Sequence, residues 1–245
     1  MLISRETWRN QSPLNDLSGP TTLSDQVRRA QMRSALRWCS ALIASFAVLT
    51  IFVMTPSFIT RLDERVGRRN PPRLKGLSNT IIIGLDDIGL RGFSATVLLI
   101  AAVLIGLRFR SWRPINLSLL SLLGLNVVVG GLKIAFGREK PRLGHDLLHV
   151  ANVGAYPSGH SANATLTWGL LAYLIYHYTH RAMGKGRLLA SIVATATLTM
   201  CAVSLYRNTH WLSDLVGGIL IGGAILVFVI AVDRFVPSSK QPVQP

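Results

Sequence analysis

Acidic residues are scarce in this chain, and charge of either sign is thin. Only 11 of its 245 residues are Asp or Glu, and charged residues together make up 15%. A soluble domain carries about a quarter of its residues as charge, so this chain cannot coat a water-facing surface in the usual way. Cysteine is nearly absent. Cys39 and Cys201 both sit inside apolar runs, which excludes a disulfide framework and a thiolate metal site and leaves two small buried hydrophobes. The start of the chain also lacks the basic-then-apolar pattern of a cleavable leader, so the first apolar segment is expected to be retained as a signal anchor.

What the chain has instead is apolar length. Hydrophobic residues make up 49% of it, and the mean hydropathy is +0.39. The charge gathers in short clusters between long apolar runs, the pattern of an integral membrane protein. The net charge of +15 would point to nucleic acid in a soluble protein. Here most Lys and Arg flank apolar segments, where they anchor helices at lipid headgroups, so no nucleic-acid partner is expected.

Three regions follow. Residues 1–34 are polar and read as a cytoplasmic tail, mostly without structure except for a short basic helix around Gln26–Arg37. Residues 35–236 hold the membrane domain, and residues 237–245 form a polar C-terminal tail. The expected fold is all-α, a bundle of six transmembrane helices over about 36–54, 93–107, 115–134, 161–178, 188–206 and 212–232. Each approaches the roughly 20 residues needed to cross a bilayer. Asp86-Asp87 would be costly in hydrocarbon, so residues 57–90 read as an interfacial loop with a short amphipathic helix. The hairpin with Arg108, Arg110 and Arg113 and the loop with Arg181, Lys185 and Arg187 contain no acid. The positive-inside rule places them, with both termini, in the cytoplasm. The loops 134–160 and 206–211 then meet at the extracytoplasmic face of the cell membrane.

Three clusters on that face carry chemistry. Lys133 and Lys140 are seven apart and share a face if the helix persists. With Arg138 or Arg142 nearby they offer a cationic pocket for a doubly charged phosphate. Pro157-Ser158-Gly159-His160 opens a helix: its backbone N–H groups and dipole favour an anion, Gly159 permits close approach, and the Ser158 hydroxyl adds a donor. His210 and Asp214 are four apart and so on one helical face, where the carboxylate can fix the imidazole tautomer and leave the other ring nitrogen free to attack. His145 and His149 could be read as a metal pair, but line a loop more naturally, and no metal or cofactor is expected. Gly217-Gly218 and Gly222-Gly223 have the small-residue spacing of close helix packing.

Together these blocks resemble the type 2 phosphatidic acid phosphatase superfamily of membrane lipid phosphatases. That family's pattern is a Lys, six residues, then Arg-Pro; Pro-Ser-Gly-His; and Ser-Arg, five residues, His, three residues, Asp. Lys133 with Lys140-Pro141 fits the first block with Lys for Arg. Pro157 to His160 fits the second without change. His210 and Asp214 fit the third, but Val203 and Ser204 stand where the family has Ser-Arg. The resemblance covers about residues 115–232. It implies that His210 is the nucleophile, Asp214 its orienting partner and His160 the general acid and base. It also implies that Lys133, Lys140, Ser158 and Gly159 bind the phosphate. Arg207, one helical turn beyond Ser204, is expected to replace the missing Arg. The implied activity is hydrolysis of a lipid or polyprenyl phosphate through a phosphohistidine. A lipid-phosphate binding or transport protein and a phosphotransferase are the alternatives. Neither the particular lipid nor the oligomeric state can be read from the residues.

Overall fold

The computed structural model describes residues 23–67, 75–141, 154–179 and 185–236. Among them the chain is all-helical. Five helices are long and apolar enough to cross a membrane: α1 (Leu23–Met54), α4 (Arg91–Phe109), α5 (Arg113–Phe136), α8 (Gly186–Tyr206) and α9 (Leu212–Phe235). A sixth rod is built from three joined pieces: α6 (Gly159–Asn163), a π-helical turn (Ala164–Trp168) and α7 (Gly169–Thr179). Two short helices, α2 (Phe58–Gly67) and α3 (Leu77–Asp86), fill the stretch between α1 and α4. Ten residues of helix rise about 15 Å, half of a hydrocarbon core, so neither short helix can span.

Apolarity and burial part company here in the way a lipid solvent requires. In α1, α4 and α5 only 22% of the most apolar stretch is buried inside the protein. Leu104, Leu107, Leu120 and Ile134 point outward. Such a surface would be untenable in water, and the chain is a multi-pass membrane protein. α9 is the exception, with 39% of its apolar stretch buried. It runs through the middle of the bundle and packs on α1, α5, α6 and α7. Arg113 and Tyr173 both bond Asp233, at 2.6 Å each, and tie one end of the bundle together.

Two boundaries differ from the sequence reading. α1 begins at Leu23, so residues 23–34, expected in the tail, form its basic first turns; good helix formers such as Arg28, Ala30, Gln31 and Met32 continue the apolar helix backwards. The residues before Leu23 and the tail 237–245 lie outside the described residues. Second, α5 does not persist to Lys140. Gly137 takes a left-handed conformation (φ 51°, ψ 42°) and its N–H caps Lys133, ending the helix at Phe136.

α9 carries glycines where α6 crosses it. A Cβ on Gly218 would stand 2.1 Å from Ser161 Oγ and 2.4 Å from the Ser158 carbonyl oxygen, and one on Gly222 would stand 2.6 Å from the Ala162 carbonyl oxygen. The small-residue stripe is therefore the contact that brings the two helix starts together. Gly223 faces Leu42 at an ordinary 3.7 Å. Alanine is about 1 kcal/mol better than glycine in a helix interior, whereas overpacking costs about 1–3 kcal/mol. Gly218→Ala is thus expected to lower the melting temperature of the detergent-purified protein, and Gly223→Ala to hold or raise it. Equal melting of the two variants would contradict this packing.

Candidate active site

Two backbone-directed bonds staple α6 to α9. The Ser158 N–H donates to the Asp214 carbonyl at 2.9 Å, and the Ser161 hydroxyl donates to the Leu215 carbonyl at 2.8 Å. The Ser158 side chain caps α6, accepting from the Ser161 N–H at 3.4 Å. This register sets His160 against His210, with ring centroids 5.8 Å apart and planes inclined by 59°. Three segments remote in sequence thus meet at one end of the bundle.

His210 does not share a helical face with Asp214, as the spacing suggested. It precedes α9, Trp211 is the N-cap, and Asp214 is the third helical residue. One carboxylate oxygen of Asp214 reaches back to accept the Trp211 N–H at 2.9 Å. The same oxygen lies 3.5 Å from His210 Nδ1. That is ion-pair range but longer than a hydrogen bond, and Nδ1 makes none. Catalytic hydrogen bonds are often long before substrate binds. With Nδ1 facing the carboxylate, Nε2 is the ring nitrogen on the side away from it.

Arg138 departs most from the sequence reading. Instead of facing a phosphate pocket, it is fully buried. Its Nη1 donates to Asp214 Oδ1 at 2.8 Å and to Ser213 Oγ at 2.7 Å, and its Nη2 donates to Asp63 Oδ2 at 2.9 Å. The guanidinium lies 5.3 Å over the Trp211 ring. Asp63, on α2, also accepts from the Ser213 N–H at 3.0 Å and from the Ser213 hydroxyl. Burial pushes the Asp63 carboxyl up from its ordinary range, while Arg138 and the Ser213 donors pull it back down. The left-handed turn at Gly137 is what swings Arg138 inward: with α5 ended, the chain no longer follows the helix axis.

The remaining site residues lie around the two imidazoles. Lys133 Nζ donates to the Gly154 carbonyl at 2.5 Å and so holds the strand of chain that leads into Pro157. A Cβ on Gly159 would rest 3.6 Å from Lys133 Cε. Lys140 is exposed, and both it and Arg91 are within electrostatic reach of Lys133. His160 is within reach of His210, Asp86, Lys133 and Lys140. Arg207 places Nη1 on Asp86 Oδ2, and Ser204 donates to Asp86 Oδ1 at 2.7 Å. Tyr156 is buried beneath the turn, sharing a 2.8 Å hydrogen bond with Thr50 and stacked on Phe46; burial pushes its hydroxyl up to about 12. Arg142, His145 and His149 lie outside the described residues.

Asp63 and Trp211 escaped the sequence reading, which used Asp86 only to place residues 57–90 at the interface. A signal for the two acids was present: with so few in the chain, an acid beside an apolar run has to be paired to be tolerated.

Residues 114–236 match the PAP2 superfamily. Phosphatidylglycerophosphatase B of Bacillus subtilis (strain 168) is 22% identical over 204 residues, covering 82% of this chain and 97% of that protein. The crystal structure of a transmembrane PAP2 type phosphatidylglycerolphosphate phosphatase from Bacillus subtilis superposes with a TM-score of 0.72 at 18% identity, covering 82% of this chain and 98% of that one. The fold is the same. Lys133, His160, His210 and Asp214 fall inside the matched span, whereas Asp63, Asp86 and Arg91 precede it.

Arg138→Leu strands Asp63 and Asp214 without their shared cation. Breaking a buried pair this way costs about 3–5 kcal/mol. A steep fall in thermal stability is expected from melting curves in detergent, and a melting temperature equal to the parent's would refute the pairing.

Proposed function

We propose a lipid-phosphate phosphatase activity on the premise that the chain belongs to the PAP2 superfamily. The observation that carries the reading is the apposition of His160 and His210 at one end of the bundle, with Asp214 behind His210. A phosphoryl group held between the rings meets a nucleophile on one side and a proton donor on the other.

The reaction runs in two steps. His210 Nε2 attacks phosphorus while the bond from phosphorus to the ester oxygen breaks; His160 gives that oxygen its proton, and the alcohol or diacylglycerol-type product leaves. His160, now neutral, takes a proton from water, whose oxygen attacks the phosphohistidine and releases inorganic phosphate. Asp214 balances the positive charge on the His210 ring. Arg138 and the Trp211 N–H both donate to its carboxylate and hold it in place. Lys133, Lys140, Arg207, the Ser158 hydroxyl and the Gly159 N–H stabilise the non-bridging oxygens. Lys140 supplies charge without the two-pronged donor geometry of an arginine. These cationic side chains do the neutralising, so turnover is expected to continue in EDTA.

The substrate enters from the bilayer with its head group at the end of the bundle that holds the site. Phosphatidylglycerophosphate is the first candidate, because the Bacillus subtilis relative is named for it; phosphatidic acid and polyprenyl pyrophosphates offer the same phosphoryl head. The site faces the extracytoplasmic side of the cell membrane in a six-span topology. This orientation rests on Arg108, Arg110, Arg113, Lys185 and Arg187, which cluster at the end of α4 and the starts of α5 and α8, away from the imidazoles.

The test is phosphate release from these lipids in mixed micelles. His210→Ala is expected to abolish release and the formation of an acid-labile phosphoprotein, with melting unchanged. His160→Ala is expected to reduce turnover by about 10²–10⁴-fold. Release that survives His210→Ala would overturn the nucleophile, and transfer of phosphate to an added alcohol in place of water would make the chain a phosphotransferase.

A further inference from the structure

Asp86 is a buried carboxylate that the two-step reaction does not use. It ends α3, a short helix outside the family-matched span, and only 6% of its surface is exposed. Its partners are specific. Ser204 donates to Oδ1 at 2.7 Å, Arg207 Nη1 is bonded to Oδ2, and His160 lies within its electrostatic reach. The α3 end is held in place from the other side as well. The Trp168 indole N–H donates to the Ile88 carbonyl at 3.0 Å, and Gly89 sits so close to the His160 backbone that a Cβ there would stand 2.8 Å from its carbonyl oxygen.

Ser204 occupies the place of the family arginine and is fully buried. An arginine there would need room and a counter-charge; serine supplies one short hydroxyl, and Asp86 fills the gap. Arg207 follows at the C-cap of α8, three residues before His210, where the chain turns through Asn208 at φ 52°. It is partly exposed, at 32% of its side chain. An unanchored arginine at that position would sample many rotamers. A carboxylate beside the phosphate site, left without a cation, would repel a phosphate dianion. The pairing answers both problems: one Nη1 contact fixes the fork, and the guanidinium has five N–H donors in all.

We propose that Asp86 is a positioning residue that, with Ser204, aims Arg207 at the substrate phosphate and thereby replaces the arginine missing from position 204. This rests on the reading of Arg207 as a phosphate ligand, and the experiment separates the two.

The full chain is purified in detergent, and kcat and KM are measured on a lipid phosphate together with the Ki of inorganic phosphate as a competitive product. Arg207→Ala is expected to raise that Ki and lower kcat/KM by about tenfold or more, the loss of one charge-assisted contact. Asp86→Asn is expected to move both in the same direction by a smaller factor. The double variant is expected to be no worse than Arg207→Ala alone, since neighbours acting through one contact are non-additive. Ser204→Ala, which removes only the Oδ1 partner, provides a mild variant should Asp86→Asn fail to fold. Ser204→Arg combined with Arg207→Ala is expected to recover part of the lost phosphate affinity. If Arg207→Ala leaves Ki and kcat/KM unchanged, Arg207 does not bind phosphate. If Arg207→Ala is impaired while Asp86→Asn and Ser204→Ala match the parent, or if their losses multiply with that of Arg207→Ala, the positioning role is overturned and the Arg207 contact stands.

Discussion

One guanidinium buried between two carboxylates organises the candidate site of this protein. Arg138 has no solvent exposure, and it bonds Asp214 on α9 and Asp63 on α2. Removing such a cluster from water carries a desolvation cost that only close, fully bonded geometry offsets. Ser213 supplies much of that geometry, because its N–H and hydroxyl both reach Asp63. The result is a rigid seat for Asp214, whose other carboxylate oxygen lies 3.5 Å from His210 Nδ1. The short helix α2 is therefore structural support for the Asp214–His210 pair, although it lies far upstream in the chain.

The bilayer explains why this support has to be polar. Apolar side chains on α1, α4, α5 and α8 are spent largely on lipid, and contact with lipid gives no reason for one helix arrangement over another. Specific arrangement comes from close backbone approach and from hydrogen bonds. The α6–α9 crossing uses the first, through Gly218 and Gly222, and the Ser158–Asp214 and Ser161–Leu215 bonds use the second. Both devices act at the same crossing, which is also where the two histidines meet. Helix packing and the approach of the two imidazoles are thus set by one contact.

Where the chain departs from the family motif at Ser204, a residue outside the motif, Asp86, is the hydrogen-bond partner. Lys140 keeps a charge where an arginine's fork is absent, and Ser204 keeps none. Arg207 and Asp86 form an ion pair beside that vacancy, with Asp86 arriving from α3. Read only along the motif, position 204 suggests a weakened site. In space, Arg207 stands one helical turn on from Ser204, paired with the Asp86 carboxylate.

Hydropathy alone indicated the membrane class and the approximate limits of most of the long helices, and motif spacing pointed to His160 and His210 as a pair. These are local properties: helix length follows from apolar run length, and a Pro-Ser-Gly turn or a His with a nearby Asp is a property of neighbours in sequence. Only the tertiary structure decided what Arg138, Asp63, Asp86 and Trp211 do. A charged side chain reads the same in sequence whether it faces headgroups or a buried partner. Arg138 sits among basic residues that anchor helices, and nothing short of the turn at Gly137 and the position of α2 could turn it inward. The helix end at Phe136 and the place of His210 outside α9 were likewise settled by capping and packing. Pairings between residues some 75 to 150 positions apart depend on which helices touch, and lipid-facing patterning carries little information about that.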